Sequence, residues 1–183
     1  MYLDDNIKKN LADIQILLRD KEFTKAENLL HDNLKITQNN FETFFLLGTI
    51  AGIKKNFDKA ETYLKKSLSI NPKHLNANIN LAIILKKNNK IEEAKNLFEK
   101  ASKLDENNLE SLCGLAQIYE ENKNFKEAES FYQKVLKINT NHHVANHSYG
   151  KLLLKLNKHK EGLKLIEKIS GIIRFEKEKF LII

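Results

Sequence analysis

The 183-residue chain has few of the features that would divide it, cross-link it or anchor it in a membrane. It contains one cysteine, Cys113, one proline, Pro72, and six glycines. A single cysteine excludes an internal disulfide framework, and the lack of any Gly-rich or Pro-rich stretch leaves no candidate linker. No run approaches the roughly 20 apolar residues of a membrane span, and the N-terminus lacks the basic and apolar regions of a secretion signal. These absences predict one cytoplasmic domain.

Motifs of catalysis are missing as well. The sequence contains no P-loop, no G-x-S-x-G elbow, no G-x-G-x-x-G loop and no H-E-x-x-H pair. His143 and His147 have the spacing that faces two ligands to one metal ion, but no cysteine or carboxylate stands nearby as a third ligand. Cys113 has no activating neighbour in the sequence and is interpreted as a small lining residue. We therefore expect no enzymatic activity, no metal and no cofactor.

Arginine is scarce, and positive charge is concentrated at one end. The net charge is +7, but residues 151–183 hold nine Lys or Arg and four Glu and so account for +5 of it. Such an end attracts polyanions, whether acidic proteins, anionic lipids or nucleic acids. The chain has only two arginines, however, Arg19 and Arg174, whereas arginine supplies the bidentate contacts typical of base reading. The composition thus disfavours nucleic acid and favours a solvated, lysine-rich face.

What the sequence does contain is a repeat. A small residue returns every 34 positions, at Ala26, Ala60, Ala94, Ala128 and Gly162. Small residues also recur twelve positions earlier, at Gly48, Ala82, Ala116 and Gly150. Large apolar residues flank most of these alanines at the three- and four-residue intervals of a helix face. A unit of this length cannot bury its own apolar face, so the copies must stack on one another.

The copies resemble the tetratricopeptide repeat, a 34-residue helix-turn-helix with small residues at two crossing points. The family pattern runs aromatic, Leu-Gly, Tyr, Ala, aromatic and Pro. The residues that match it are Phe44, Leu47, Gly48, Ala51, Ala60, Leu64 and Pro72 in the second copy, Leu81, Ala82, Leu85, Ala94, Phe98 and Ala101 in the third, and Leu112, Leu115, Ala116, Tyr119, Ala128 and Tyr132 in the fourth. The first copy departs from it at Asp13 and Ile14 and the fifth at Asn146 and Gly162, as is typical of terminal repeats.

The resemblance implies an all-α fold, a right-handed solenoid of about five such repeats in a single domain over residues 1–183. The copies are approximated by residues 7–40, 41–74, 75–108, 109–142 and 143–174. Residues 171–183 end on apolar side chains. They are interpreted as a capping helix or strand, as an oligomer contact, or as a truncated junction to another domain, because exposed apolar ends seek cover.

The resemblance also implies where a partner binds. In arrays of this family the first helix of each copy lines a concave surface, along which bound peptides run. The candidates are the positions off the packing stripe: Asn76, Ile79, Asn80, Ile83 and Lys87 in the third copy, Cys113, Gln117, Glu120 and Glu121 in the fourth, and His147, Lys151 and Lys155 in the fifth. Asparagine can hydrogen-bond a peptide backbone whatever its sequence, whereas lysine and glutamate select among charges.

Three functional hypotheses follow from these observations. The first is a non-enzymatic scaffold that binds an extended peptide or partner segment in the concave groove. The second is an N-terminal recognition module of a larger bacterial enzyme, such as a glycosyltransferase, sulfotransferase or oxygenase. The third is a polyanion binder that acts through the basic C-terminal repeat. The first predicts a protein or peptide partner held by the groove residues, whereas the third predicts a partner held by the lysines of the last copy.

Overall fold

The computed structural model describes residues 5–36, 39–170, 173–176 and 179–182 of the chain. Helices come in pairs throughout the range 5–170. Their bounds are α1 (Asp5–Arg19), α2 (Phe23–Ile36), α3 (Phe41–Ile53), α4 (Phe57–Ile70), α5 (Leu75–Lys87), α6 (Ile91–Leu104), α7 (Leu109–Glu121), α8 (Phe125–Ile138), α9 (His143–Lys155) and α10 (His159–Ser170). From the second pair onward, both helices of each pair begin 34 residues after their equivalents in the pair before, apart from the start of α3.

Two short strands follow the last helix. β1 (Ile173–Glu176) and β2 (Lys179–Ile182) pair antiparallel, with Ile173 opposite Ile182 and Glu176 opposite Lys179. The predicted array of helix pairs is confirmed over residues 5–36 and 39–170. The hairpin lies in the C-terminal segment for which a capping helix and a capping strand were both among the alternatives. Of the C-terminal segment interpreted as a cap, an oligomer contact or a junction, residues 171, 172, 177, 178 and 183 lie outside the described residues.

The structure consists of two compact units, Met1–Leu97 and Phe98–Ile183, and each has a core of its own. In the first unit, Ile14, Leu30 and Ile50 are fully buried in one cluster. In the second unit, the rings of Tyr132 and Tyr149 stack with their centroids 5.8 Å apart among buried aliphatic side chains. Within the units α1 packs on α2, α3 on α4, α7 on α8 and α9 on α10. The second helices α2, α4 and α8 also contact the first helix of the following pair, as copies that cannot bury their apolar faces alone require.

The recurring small residues lie where helices touch. Ala26, Ala60, Ala94 and Ala128 have no exposed surface, which confirms the register predicted from the repeat. At the crossing of α9 and α10 the two backbones themselves come close together. A methyl group added to Gly162 would lie 2.7 Å from the carbonyl oxygen of Gly150. Because backbone atoms cannot move aside as the tip of a side chain can, this crossing accepts only glycine.

Each first helix ends in the same turn. Lys21, Lys55, Asn89, Lys123 and Asn157 occupy equivalent positions and all have φ of 60° or 61°. In the second pair, for example, the N–H of Lys55 donates to the Gly52 carbonyl (3.0 Å) and the N–H of Asn56 donates to the Ala51 carbonyl (2.9 Å). This Schellman arrangement satisfies two carbonyl groups at the helix end. A side chain in left-handed backbone costs roughly 1 to 2 kcal/mol, so packing must hold each turn in place.

The first helices begin with two kinds of cap. Asn40 accepts hydrogen bonds through Oδ1 from the N–H groups of Glu42 and Thr43 (2.9 and 3.1 Å), and Asn108 caps α7 in a similar way. His74 caps α5 with Nδ1 (3.3 Å from the Ala77 nitrogen), and His142 caps α9 likewise. His142 and His143 therefore lie at the start of α9.

Each histidine cap is accompanied by a buried asparagine four residues later. Asn78 Nδ2 donates to the carbonyl groups of His74 (2.8 Å) and Pro72 (3.2 Å). Asn146 makes the equivalent bonds to His142 and Thr140, both at 3.0 Å. Caps of the two kinds therefore alternate along the chain, asparagine for α3 and α7 and histidine for α5 and α9.

Candidate functional site

A groove lies between α3 and α5, the first helices of two neighbouring pairs. Its volume is about 620 Å³, which falls within the range of roughly 300 to 1,000 Å³ for ligand pockets. The lining residues are Gly48, Thr49, Gly52 and Ile53 from α3, Lys55 from the turn, Phe57 and Leu64 from α4, and Asn80, Ile83, Ile84 and Lys87 from α5. These residues define what we call the α3–α5 groove.

Three of the predicted site residues, Asn80, Ile83 and Lys87, meet in this groove. Asn76 is exposed at the first turn of α5 and is not part of the lining. Ile79 is only 5% exposed, which places it in the core rather than on the groove surface where the sequence analysis put it. One residue turns a helix by about 100°, so positions 79 and 80 face different sides of α5.

A hydrogen bond crosses the groove from one helix to the other. Asn80 Nδ2 donates to Thr49 Oγ1 (3.1 Å), and Thr49 Oγ1 donates to the carbonyl of Phe45 (2.9 Å). The hydroxyl group thereby fixes the orientation of the Asn80 amide, which is half-buried. An amide held in one orientation is suited to pair with the backbone of an extended peptide.

The groove also contains apolar surface and positive charge. Ile53 and Ile83 are 52% and 42% exposed, although both are large aliphatic residues. Lys55 and Lys87 lie near the C-terminal ends of α3 and α5, and the lining has no Asp or Glu. Gly52 keeps the groove open, because a methyl group there would already lie 3.3 Å from Ile84 Cδ1. The groove therefore combines an apolar surface, one oriented amide and two cations.

The candidates in the second unit differ in their surroundings. Lys155 Nζ lies 2.7 Å from Glu120 Oε1, and Glu120 also accepts a hydrogen bond from the Tyr132 hydroxyl (3.1 Å). Gln117 and His147 are half-buried, whereas Glu121 and Lys151 are exposed. Mutual pairing leaves Lys155 and Glu120 less able to select a ligand by charge than the groove lysines are.

Cys113 is 6% exposed and belongs to the core of the second unit, not to a surface as the sequence analysis expected. Burial, together with the nearby charge of Glu110, raises the pKa of its thiol to about 11. Its sulfur lies 3.8 Å from His142 Nδ1, the atom that caps α9. A thiol with this pKa stays protonated at neutral pH and is a poor nucleophile.

Family models match the chain in two overlapping stretches. A tetratricopeptide repeat model matches residues 53–110, and the model of anaphase-promoting complex, cyclosome, subunit 3 matches residues 87–169. Both stretches fall on the helix pairs described above. Residues 53–110 belong to the tetratricopeptide repeat family.

Solved structures share this tetratricopeptide repeat fold at low sequence identity. MamA (residues 41 to the end) from Desulfovibrio magneticus RS-1 is 17% identical, with a TM-score of 0.80 over 92% of this chain and 95% of its own. PilF of Pseudomonas aeruginosa is 18% identical, with a TM-score of 0.81 over 92% of this chain and 80% of its own. YrrB, described as a tetratricopeptide repeat protein with an unusual peptide-binding site, is 17% identical, with a TM-score of 0.71 over 87% of this chain and 82% of its own. Comparison with curated protein sequences found no match.

The tetratricopeptide repeats are also joined by ion pairs that the sequence analysis missed. Glu27 pairs with Lys54, Glu61 with Lys90 (2.7 Å) and Glu129 with Lys158 (2.9 Å). Each glutamate directly follows one of the recurring alanines, and each lysine lies in the connection between the two helices of the next copy. The 34-residue spacing of Glu27 and Glu61 was the available signal, but their partners lie 27 to 29 residues away and cannot be assigned without the fold.

The residues that the structure describes contain no cluster of three or more His, Cys, Asp or Glu arranged to hold a metal ion. His143 is exposed and His147 half-buried, and neither has a third ligand beside it within that part of the chain. Among the helices described for this tetratricopeptide repeat protein, none has the length and apolarity needed to cross a membrane.

Proposed function

We propose that this tetratricopeptide repeat protein is a non-enzymatic scaffold that binds an extended segment of another protein in the α3–α5 groove. The observation that carries the proposal is the lining of the groove. It contains two exposed isoleucines, an amide held in one orientation and two lysines. Ligand sites typically combine such an apolar lining with a few placed polar groups. The description of YrrB as a protein with a peptide-binding site supports the same use of a shared fold.

Each part of the lining has a distinct role in this proposal. Ile53 and Ile83 supply the apolar surface, and covering both with one ligand side chain should contribute roughly 1 to 2 kcal/mol in total. Asn80 supplies hydrogen bonds to the peptide backbone. Lys55 and Lys87 set the charge of the ligand that is accepted. In the second unit, the exposed side chain of Lys151 remains a predicted contact.

The test begins with a random octapeptide library displayed on phage, selected on the full chain. Affinities of the selected peptides are then measured by fluorescence anisotropy for the wild type and for the double variant Ile53→Ser/Ile83→Ser. We expect the double variant to bind about tenfold more weakly, since about 1.4 kcal/mol of apolar contact is lost. The matched control is Ile70→Ser on α4, which is 39% exposed and outside the groove, and it should bind as the wild type does.

Two results would reject the proposal. The first is a library that yields no binder, or binders indifferent to Ile53→Ser/Ile83→Ser. The second is binding that depends instead on Lys160, Lys164 and Lys168 of α10, which are exposed, and that falls steeply with salt. At moderate ionic strength the Debye length is about 8 Å, so such a salt dependence would indicate a polyanion held by exposed lysines.

A further inference from the structure

The α3–α5 groove changes in character along its length. α3 and α5 run in the same direction there, because Thr49 contacts Asn80 and Gly52, one turn later, faces Ile84. Toward the C-terminal ends of α3 and α5 the lining follows one order: a hydrogen-bonding side chain, then an isoleucine, then a lysine. The lysine lies in the turn after α3 on one side and in the last turn of α5 on the other. The groove is therefore polar at one end, apolar in the middle and basic at the other end.

These three levels are each formed by one residue from either side. Thr49 and Asn80 form the polar level, Ile53 and Ile83 the apolar level, and Lys55 and Lys87 the basic level. From Asn80 to Lys87 the helix rises about 10 Å, at 1.5 Å per residue. An extended peptide covers that distance with about three residues, at roughly 3.3 Å each. A single short segment thus reaches all three levels at once.

The two lysines of the basic level are not neutralised by a carboxylate among the residues that the structure describes. Of the residues that the structure describes, none forms an ion pair with Lys55 or Lys87, although neighbouring lysines are paired. Lys54, directly before Lys55, lies 2.5 Å from Glu27 Oε2. Two cations without a counter-charge, at one end of an apolar groove, are complementary to a carboxylate beside an aliphatic group.

A side-chain carboxylate fits this level better than a terminal one. A nest of backbone N–H groups is one arrangement that captures a terminal carboxylate. The basic level lies instead at the C-terminal ends of α3 and α5, where a helix presents carbonyl groups and its negative partial charge. The ammonium groups of Lys55 and Lys87 are thus the anion-binding groups on offer in the lining at that level.

We propose that the ligand of the α3–α5 groove is an internal, extended segment with an aliphatic side chain and an acidic side chain within about three residues of each other. The aliphatic side chain contacts Ile53 and Ile83, and the carboxylate lies toward Lys55 and Lys87. This inference rests on the proposed function and adds to it the chemical class of the bound segment and the end of the groove at which its acidic side chain lies.

The experiment is an NMR titration of the full chain with three octapeptide pools. The first pool is blocked at both ends and carries Leu or Ile followed two residues later by Asp or Glu. The second replaces the acid by Asn or Gln. The third also lacks the acid and ends at a free carboxylate two residues after the aliphatic residue. Binding is measured from the amide shifts of groove residues such as Gly52 and Asn80, which report millimolar affinities.

We expect the first pool to bind about fivefold more tightly than the other two, as two exposed ion pairs allow. The double variant Lys55→Glu/Lys87→Glu should abolish that preference. Lys59→Glu/Lys73→Glu, which changes the same charge outside the groove lining, should retain it. Circular dichroism confirms that both variants fold before they are compared.

The alternative outcomes separate this inference from the function on which it rests. Equal affinity for the first two pools, with groove signals still shifting, would overturn the acidic preference while leaving peptide binding intact. Equal or tighter binding of the third pool would assign the basic level to a terminal carboxylate and would also overturn the inference. If no pool shifted groove signals and library binders ignored Ile53→Ser/Ile83→Ser, the proposed function itself would fail.

Discussion

Glu61 and Lys90 form an ion pair between neighbouring repeats, with Lys90 Nζ 2.7 Å from Glu61 Oε1. The same carboxylate accepts hydrogen bonds from Lys65 (2.7 Å) and Asn88 (3.0 Å). Burial raises the pKa of Glu61, but the hydrogen bonds from Lys65, Lys90 and Asn88 outweigh it and lower that pKa from 4.5 to about 2. The folded structure therefore stabilises the charged form of Glu61 relative to the protonated form.

The stability of the protein should depend on this carboxylate. Glu61→Gln should lower the free energy of unfolding at pH 7 by on the order of 1 to 3 kcal/mol, because charged hydrogen bonds are lost. A depressed folded-state pKa gives stability that is complete above about 4.5 and is lost as the pH falls toward 2. Urea denaturation at pH 7 and pH 3 should show a smaller acid loss in the variant than in the wild type. Asp58→Asn, an exposed carboxylate on the same helix, should behave as the wild type; equal acid losses in all three proteins would contradict the prediction.

A second pH dependence should come from the cap of α5. Burial lowers the pKa of His74 more than the nearby charge of Glu42 raises it, and the capping atom Nδ1 must be unprotonated. Since the unfolded chain takes up the proton more readily, this contribution to stability is complete above the ordinary histidine pKa of 6.5 and is lost as the pH falls below it.

The variant His74→Asn keeps a cap of the kind that Asn40 provides, but its side chain does not titrate. Between pH 7.5 and 5.5 the wild type should lose about half a kcal/mol more than His74→Asn in chemical denaturation. The other histidines are present in both proteins, so their contributions cancel in the difference between the two. If the stability of both proteins changed with pH in the same way, the role of the His74 cap would be disproved.

The glycine crossing of α9 and α10 should reject even one methyl group. Gly162→Ala improves helix propensity, yet its Cβ would lie 2.7 Å from the Gly150 carbonyl oxygen. We expect overpacking to prevail and the variant to lose about 1 to 3 kcal/mol in thermal or chemical unfolding. Gly52→Ala is the matched control, because its Cβ would meet the flexible tip of Ile84 at 3.3 Å and Ala60 Cβ at 4.0 Å but no backbone atom within 4 Å. This variant should change stability by less than about 0.5 kcal/mol. Similar effects of the two variants would show that propensity, not packing, decides at these sites.

The left-handed turns should accept glycine with a gain. Lys123 has φ of 61°, so Lys123→Gly removes the steric strain of its Cβ and should stabilise the protein by about 0.5 to 1 kcal/mol. Asn122, one residue earlier, has φ of −79°, and Asn122→Gly should instead be neutral or destabilising. The comparison uses unfolding midpoints measured under the same conditions. A gain from the second substitution but not the first would contradict the assigned turn geometry.

The repeat was predictable from sequence because its signal is spread over many positions. Ala26, Ala60, Ala94 and Ala128 are separated by one interval, and a helix crossing selects small residues at each of them. The hairpin of β1 and β2 lies outside this period, so for its segment the sequence left a capping helix or strand, an oligomer contact and a junction to another domain as open alternatives. Local composition alone does not distinguish a short strand from a helix end.

The candidate site was harder to predict, because the groove depends on helix rotation. Ile79 and Ile83 are both isoleucines on α5, yet one is buried and the other is exposed in the groove. Thr49 and Ile53 were missed because they belong to the preceding copy and meet α5 only after the helices pack. The identity of the groove residues as a binding site remains a prediction, which the variants above test.

The alternation of asparagine and histidine caps means that the smallest complete module of this protein is two repeats long. An Asn-capped helix (α3 or α7) is followed by a His-capped helix with its own buried asparagine (α5 or α9), and the order then starts again. An engineer who wishes to lengthen the array should therefore duplicate residues 41–108 as a block. Insertion of a single copy would place two caps of the same kind in succession and lose the built-in alternation.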